Sequence, residues 1–211
     1  MSQRDTARRT ASTPGARAQD EGQAIGAALD RAESHAETTF APDPADPRAL
    51  RAALGRFATG VTIVTARAAP DACAPEGAPL AITVNSFASV SLDPPLVLWS
   101  AARASLRHVH FAAAPAFSIH VLGAEQQALC ARFSSSGAGF DGLAWRAGED
   151  GVPHLADALV RFDCTTEARH DGGDHTIIIG RVTRVALGAA RAPLVFAGGK
   201  FGHFVSDQPD D

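Results

Sequence analysis

Short hydroxyl and amide side chains are concentrated in the stretch LAITVNSFASVSLDPPLVLWS, from Leu80 to Ser100. They belong to Thr83, Asn85, Ser86, Ser89, Ser91 and Ser100. Such side chains donate and accept hydrogen bonds, and their small size lets the backbone approach a flat polar ligand closely. They could equally form the solvent-facing row of a half-buried sheet. Composition alone favours the solvent-facing row, so a ligand site needs support from neighbouring segments.

Positive charge follows this stretch in ARASLR, which contains Arg103, Ser105 and Arg107. The pattern predicts a helix that begins at Ser105 and continues to about Ala114. Free backbone amides, a hydroxyl and two guanidinium groups would then converge on one point, which suits an anion. An ordinary capped helix with solvent-exposed arginines accounts for the same spacing, and both interpretations stay open.

A histidine follows a glycine-rich turn in HDGGDHTIIIG, residues 170–180. His175 begins a run of threonine and isoleucine that predicts a strand, so its imidazole would lie at a strand end. One interpretation is a polar strand end without further function. The other is a hydrogen-bonding group aimed into the mouth of a pocket, where imidazole could bind a carboxamide or balance charge near neutral pH.

Other kinds of site are not indicated. His108 and His110 are two residues apart, so a helix would direct them to different faces, and no histidine pair has metal-ligand spacing. The three cysteines form no C-x-x-C motif, so neither a disulfide framework nor a zinc site is expected, and Cys164 has the pattern of a small core residue. No G-x-G-x-x-G motif follows a predicted strand, and no P-loop or G-x-S-x-G motif is present.

The spacing of apolar residues predicts a mainly antiparallel β scaffold. Leu50, Leu54 and Phe57 lie at i, i+4 and i+7 and predict a helix that ends at Gly60. A further short helix is predicted over residues 124–133, and turns at HDGGD and GGK. Strand patterns occur in the opening stretch and in 61–66, 96–100, 117–122, 158–167, 175–186 and 193–197. About seven such strands indicate a closed or nearly closed barrel.

Length and charge limit the class of protein. The 211 residues are enough for one domain and a tail. Residues 1–47 hold few large apolar side chains, so we expect a disordered tail there and a single domain over residues 48–207. The net charge of −4 and the lack of a basic stripe argue against nucleic-acid binding. No apolar run approaches the roughly 20 residues of a membrane span, so we expect a soluble cytoplasmic protein.

Five segments together resemble the short-chain flavin reductase family. They are RFATGVTIVTA, TVNSFASVSLDPPLVLWS, RASLR, ARFSSSG and HDGGDHTIIIGRV, in this order between about Ala49 and Phe204. The family comprises reductase components of two-component flavin-dependent monooxygenases. The resemblance implies an antiparallel split β-barrel of the FMN-binding type, usually a homodimer. It also implies that NADH or NADPH reduces FMN or FAD for a separate oxygenase.

The resemblance also implies roles for individual residues. Val84, Asn85 and Ser86 are expected along the isoalloxazine ring and ribityl chain, with Ser89 and Val90 close by, and Thr83 is a further expected flavin-binding residue. The flavin phosphate is expected among Ser100, Arg103, Ser105 and Arg107. Arg107 replaces the serine or threonine that is common there, and would either strengthen phosphate binding or point to solvent. Phe201 is expected to border the flavin, where many relatives have a tyrosine.

In the mechanism that the resemblance implies, the nicotinamide stacks on the flavin and passes a hydride to N5 without a protein acid or base. His175 is the residue expected to position the nicotinamide carboxamide. Two alternatives remain: an oxidase on a similar barrel that keeps its FMN, and a non-enzymatic flavin- or haem-binding protein. The GDH segment argues against the second, because storage needs no contact with a nicotinamide.

Overall fold

The computed structural model describes residues 37–69 and 75–207. Cys73 and the predicted tail as far as residue 36 lie outside the described residues. The chain divides into two units between Asp43 and Pro44, and every helix and strand named below belongs to the second unit. None of the helices within the described ranges has the length and apolarity needed to cross a bilayer.

Short helices and many strands make up the described part of the second unit. The helices are α1 (Arg48–Leu54), α2 (His108–Ala113) and α3 (Gln127–Ser135), and a 3₁₀ turn at Ala124–Gln126 precedes α3. The strands are β1 (Thr59–Gly60), β2 (Thr62–Arg67), β3 (Pro79–Val84), β4 (Ala88–Leu92), β5 (Pro95–Ala102), β6 (Ala116–Val121), β7 (Trp145–Ala147), β8 (Pro153–Leu155), β9 (Val160–Gly172), β10 (His175–Leu187), β11 (Leu194–Ala197) and β12 (Lys200–His203).

One antiparallel sheet of seven strands dominates the fold. Its order is β3-β2-β6-β9-β10-β5-β4, so the long β9–β10 hairpin lies at its centre and β3 and β4 lie at its edges. The register of this hairpin shifts at two irregularities, one beside Gly180 and one beside Arg184. Such bulges increase the local twist and let a sheet curl toward a barrel. The mainly β, antiparallel class predicted from the sequence is confirmed.

The sheet separates two apolar clusters, which explains why β2 is buried on both faces. Val64 faces the first cluster and Ile63 faces the second. The first is built around Trp99, whose ring meets Phe111 edge-on at a centroid distance of 5.2 Å. The second lies beneath α3, where Phe133 is fully buried. Because both faces of β2 are covered, its buried residues TIVTA show no alternation of polar and apolar residues.

The helix predicted to end at Gly60 is shorter than expected. It ends at Leu54, with Gly55 as its C-cap, and Gly60 lies in β1. Leu54 in the helix is 65% exposed, and Phe57, which follows it, is 78% exposed, so neither side chain enters the core. The prediction of a helix is confirmed, but the predicted apolar face is wrong, because Phe57 lies beyond the end of the helix and Leu54 is not buried.

Two hairpins turn through glycines that adopt positive φ. Gly198 and Gly199, with φ of +57° and +77°, form the whole loop between β11 and β12, which is the pattern of a type I′ turn. The β9–β10 loop consists of Gly173, with φ of +73°, and Asp174, which fits a type II′ turn. Both turns were predicted from the sequence. The second makes His175 the first residue of β10.

His120 should make the stability of the fold depend on pH. Its ring is fully buried, with Nδ1 3.2 Å from the Ile63 carbonyl and Nε2 accepting the Leu155 N–H at 3.1 Å. Burial lowers the pKa of His120 to about 3. The unfolded chain binds this proton below about pH 6.5, whereas the folded chain does not until about pH 3. Stability is therefore highest above pH 6.5 and falls as the pH drops toward 3.

We expect His120→Gln to remove this component of the pH dependence. In the native protein the component lowers the free energy of unfolding by up to about 1.4 kcal/mol per pH unit below pH 6.5. Urea denaturation at several pH values between 7 and 5 measures the slope. His170→Gln, on the exposed part of β9, is the matched control and should keep the native slope. An unchanged slope in His120→Gln would show that other groups produce the acid sensitivity.

Candidate functional site

A groove of about 290 Å³ lies where β3 meets α3 and the β11–β12 hairpin. It is lined by Val61, Thr83, Val84, Asn85, Cys130, Ser134, Phe196 and Phe201. Half of this lining was predicted from the sequence to contact flavin: Thr83, Val84, Asn85 and Phe201. The walls are apolar and aromatic with a few uncharged polar atoms, which suits a flat heteroaromatic ring.

Hydrogen bonds to one carbonyl join two walls of the groove. Thr83 Oγ1 donates to the Cys130 carbonyl at 2.8 Å, and Ser134 Oγ donates to the same oxygen at 2.8 Å. The first of these bonds crosses from β3 to α3 and fixes the strand against the helix. The hydroxyl proton of Thr83 is thus already donated to the Cys130 carbonyl within the groove wall.

Asn85 connects the groove to a residue that the sequence did not single out. Its Nδ2 donates to Thr59 Oγ1 at 3.3 Å, and Thr59 belongs to β1. β1 in turn pairs with β11, which carries Phe196. The rings of Phe196 and Phe201 pack together at a centroid distance of 5.2 Å. The end of β3, β1 and the β11–β12 hairpin, which are separate in sequence, therefore meet around this end of the groove.

Ser86 and Ser100 hold the segment after β3 against β5. Ser86 Oγ accepts the Ser100 N–H at 3.0 Å and donates to the Ser100 carbonyl at 3.4 Å. These two bonds bring together residues predicted to contact the ribityl chain and the phosphate. They also connect the groove to β5, whose far end leads to Arg103.

Arg103 lies against the β9–β10 turn. The register of β5 and β10 pairs Ala102 with His175, and the Arg103 N–H donates to the Asp174 carbonyl at 2.9 Å. The Arg103 guanidinium also donates to Asp171 Oδ1 at 2.9 Å. The residue predicted to bind phosphate and the one predicted to bind nicotinamide thus belong to one cluster, although they are 72 residues apart in sequence.

The imidazole of His175 is partly exposed and is oriented by its neighbour. His175 Nδ1 lies 2.7 Å from Asp174 Oδ1, and this hydrogen bond lowers the pKa of Asp174. Arg51 of α1 contributes further positive potential at the same carboxylate. With a proton on Nδ1 directed at Asp174, the neutral ring keeps its Nε2 lone pair for an external donor such as a carboxamide N–H.

Arg107 makes contacts with backbone carbonyls that the sequence did not predict. Its Nη1 donates to the carbonyls of Phe133 at 2.7 Å and Ala81 at 3.2 Å, and its Nη2 donates to the Ser134 carbonyl at 3.2 Å. Partial burial lowers the pKa of Arg107, yet a guanidinium remains charged at physiological pH. Its guanidinium is therefore anchored to three backbone carbonyls of β3 and α3.

The predicted helix start at Ser105 is also wrong. Helix α2 begins at His108, and two turns precede it, closed by Ser105 N–H to the Ala102 carbonyl and His108 N–H to the Ser105 carbonyl. Ser105 Oγ accepts the Arg107 N–H at 3.3 Å and caps no helix. Arg103 and Ser105 therefore lie on a turn segment, and an anion there would be held by side chains and turn amides, without a helix dipole.

Ser89 and Val90 lie outside the lining of the groove. Both belong to the edge strand β4, where the pairing with β5 is irregular between Ser89 and Ser91. Val90 is exposed, and Leu92 at the end of the strand is 94% exposed. These two predicted flavin neighbours would need another surface beside β4 to enclose a ligand.

The described cysteines have no nucleophilic character. Cys164 is buried in the first apolar cluster, which confirms its predicted core position, and burial raises the pKa of its thiol to about 12. Burial also raises the pKa of Cys130, which lines the groove. A thiol with a raised pKa forms little thiolate at neutral pH. Within the described ranges, no three His, Cys, Asp or Glu side chains are grouped to hold a metal ion.

Comparison with known proteins identifies the family. Residues 54–204 match the flavin reductase like domain. The chain is 52% identical over 168 residues to the FMN reductase (NADH) SmoA of Agrobacterium fabrum, covering 80% of this chain and 92% of that one. It is 38% identical over 162 residues to the reductase subunit HsaB of a flavin-dependent monooxygenase from Rhodococcus jostii, covering 76% and 80%.

Solved structures agree with the sequence relatives. An NADH:FAD oxidoreductase of Streptomyces globisporus, in complex with NAD and FAD fragments, has a TM-score of 0.72 and 36% identity to this chain. The similarity covers 81% of this chain and 100% of that one. This protein therefore belongs to the flavin reductase family and has its split-barrel fold.

Proposed function

We propose that this protein is an NADH-dependent flavin reductase that reduces FMN or FAD and releases the reduced flavin to a separate monooxygenase. The observation that carries the proposal is the convergence of Thr83, Val84, Asn85 and Phe201 on one groove. The fold around that groove is shared with proteins named as NADH-dependent FMN and FAD reductases. A relative named as a monooxygenase reductase subunit supports the transfer to an oxygenase.

The residues of the groove bind and orient the flavin ring in this proposal. Val84 and Phe201 contact its apolar surface, while Asn85 and Ser86 offer hydrogen bonds to its polar edge. Arg103, Ser105 and Ser100 hold the phosphate. When bound, the flavin supplies the hydride acceptor. The protein supplies a fixed approach between two rings, and such orientation can account for much of a rate enhancement.

His175 orients the nicotinamide in the same proposal. Its ring is held by Asp174, it lies next to the segment that carries Arg103, and it presents Nε2 to a carboxamide. No proton needs to move during hydride transfer, so His175 acts through position and hydrogen bonding alone. The proposal therefore includes no general acid or base.

An absorbance assay tests this function directly. We expect the purified protein to oxidise NADH when FMN or FAD is present, and to use NADPH less well, because the relatives are named for NADH. The described lining of the groove contains no charged side chain, so we expect the flavin to leave on dialysis. Failure to oxidise NADH or NADPH with either flavin would contradict the proposal. A yellow colour that survives dialysis would favour the oxidase that retains FMN.

We infer further that two copies of the chain associate through β4. This strand lies at the edge of the sheet and exposes Val90 and Leu92, and apolar edge strands are normally covered in stable proteins. A second copy there would also give Ser89 and Val90 the additional surface that they lack. Association through β4 would form the homodimer that the sequence resemblance implied.

Lysine substitutions on β4 are expected to separate the dimer. Val90→Lys combined with Leu92→Lys places two charges on the proposed interface, and charges at an edge oppose strand pairing. Light scattering after gel filtration should give twice the mass of one chain for the native protein and a single-chain mass for the variant. Leu187→Lys, at an exposed apolar position on β10, should remain dimeric. A monomeric native protein would contradict the inference.

We place the reaction in the cytoplasm. The proposed donor is NADH, and the described thiols, Cys130 and Cys164, are free, which is usual for proteins of a reducing compartment. Fractionation of cells that produce the protein should find the NADH-dependent activity in the cytoplasmic fraction.

A further inference from the structure

Arg107 joins three parts of the molecule through one side chain. Its backbone belongs to the turn segment 103–107, whereas its guanidinium donates to a carbonyl of β3 and to two carbonyls of α3. The β3 contact is Ala81, and the α3 contacts are Phe133 and Ser134 in the last turn of the helix. The hydrogen bonds of this one side chain therefore fix the positions of the three segments relative to one another.

The local structure favours this arrangement. The last carbonyls of a helix lack partners within the helix, and a cation at this end also meets the negative pole of the helix dipole. The arginine stem passes next to Gly137, where an added Cβ would lie 2.5 Å from Arg107 Cδ. The lack of a side chain at position 137 thus leaves the space that the stem occupies.

Both ends of this connection belong to the proposed flavin site. On one side, Ser134 lines the groove, and Ala81 precedes Thr83 by two residues in the same strand. On the other side, Ser105 Oγ accepts the Arg107 N–H, so the proposed phosphate segment is bound to the backbone of the same residue. The side chain of Arg107 therefore spans from the groove wall to the phosphate segment.

We propose that Arg107 is a positioning residue, which sets the distance between the flavin groove and the segment that carries Arg103 and Ser105. It acts without touching the flavin. Because the groove holds the ring and the segment holds the phosphate, Arg107 controls affinity for phosphorylated flavins and leaves affinity for the bare ring unchanged. This inference rests on the proposed function, specifically on the placement of the phosphate at residues 103–105.

The comparison of FMN with riboflavin, which lacks the phosphate, isolates this role. In Arg107→Ala we expect the dissociation constant for FMN to rise about tenfold and that for riboflavin to change less than about twofold, since weakening one hydrogen bond to the charged phosphate by about 1.4 kcal/mol corresponds to about a factor of ten in affinity. Arg107→Lys, which keeps a charge but not the fork of donors, should give an intermediate FMN affinity. Flavin fluorescence titration measures both constants.

A matched variant controls for the loss of a guanidinium bound to a helix end. Arg169 Nη2 donates to the carbonyl of Ala114, the C-cap of α2, at 2.8 Å. Arg169→Ala should leave the FMN-to-riboflavin ratio at its native value. Equal weakening of both ligands in Arg107→Ala, or weakening of neither, would overturn the positioning role.

Two further variants, Gly137→Ala and Arg103→Ala, distinguish a folding defect from an error in either proposal. If Arg107→Ala does not fold, Gly137→Ala displaces the arginine stem instead, and the same selective loss of FMN affinity is expected. Arg103→Ala separates this inference from the proposal beneath it. If Arg103→Ala weakens binding of FMN but not of riboflavin, and Arg107→Ala weakens binding of neither, the positioning role alone is overturned. No selective effect for either variant overturns the placement of the phosphate.

Discussion

Arg103→Ala is expected to raise the dissociation constant for FMN by about 10- to 100-fold and to leave that for riboflavin within about twofold. A hydrogen bond to a charged group contributes about 1.5–3 kcal/mol, and each 1.4 kcal/mol corresponds to about a factor of ten in affinity. Arg103 is held next to the end of β5 by the Asp174 carbonyl and by Asp171, so its guanidinium is already oriented before a ligand arrives. Titration of the intrinsic flavin fluorescence measures both constants.

Arg181→Ala is the matched control for this variant. Arg181 and Glu167 form an ion pair at 2.8 Å within the β9–β10 hairpin, which also carries Asp171, the ion-pair partner of Arg103. The Arg181 side chain is 41% exposed, and that of Arg103 is 47% exposed. Both variants therefore lose a partly exposed ion pair that involves β9, but only one loses the proposed phosphate contact. An equal loss of FMN affinity in the two variants, or an unchanged affinity in Arg103→Ala, would remove Arg103 from the site.

His175→Ala is expected to lower kcat/KM for NADH by about 10- to 100-fold while the dissociation constant for FMN stays at its native value. The loss arises because the nicotinamide is no longer held at a fixed approach to its acceptor, and misplacement by about 1 Å can cost a hundredfold. Anaerobic stopped-flow measurement of flavin bleaching at several NADH concentrations separates binding from hydride transfer. His175→Gln, whose amide supplies hydrogen-bonding groups in place of the imidazole, should recover part of the loss.

His170→Ala tests whether any histidine of the hairpin produces the same effect. His170 is exposed on β9 and pairs with Ile177, outside the predicted site. We expect it to reduce kcat/KM for NADH by less than about twofold, as is usual for surface substitutions. If His175→Ala also left kcat/KM for NADH unchanged, or lowered FMN affinity as strongly as it lowered kcat/KM, the assignment of His175 to the nicotinamide would be wrong.

The long elements of the fold could be predicted from the sequence because their signals repeat. In β9 and β10 alternating residues extend over many positions, and a glycine turn joins the two runs, so the hairpin was found with its turn in place. β1 has two residues and β7 has three, which is too short for a period of two to appear. The end of α1 was misplaced for a related reason, since the apolar spacing continues past Gly55 although the helix does not.

The candidate site was only partly predictable. Thr83, Val84 and Asn85 were found because they form a compact polar and apolar motif within one strand. Thr59, which accepts a hydrogen bond from Asn85, and Ser134, which lines the groove, were missed although both lie in segments that resemble the family. Nothing local distinguishes such residues from their neighbours. The direction of the Arg107 side chain depends on where α3 ends in space. That is a tertiary property, which no spacing along residues 102–107 expresses.

A crystal structure of the protein with FMN tests the central claim most directly. We predict electron density for the ring in the groove beside Val84 and Phe201, and for the phosphate within hydrogen-bonding distance of Arg103. The chain also has a larger cleft of about 410 Å³, which is lined in part by Trp145 and Arg161 and includes none of the predicted flavin contacts. Density for FMN in that cleft, or anywhere away from residues 83–86, would contradict the assignment of the flavin site.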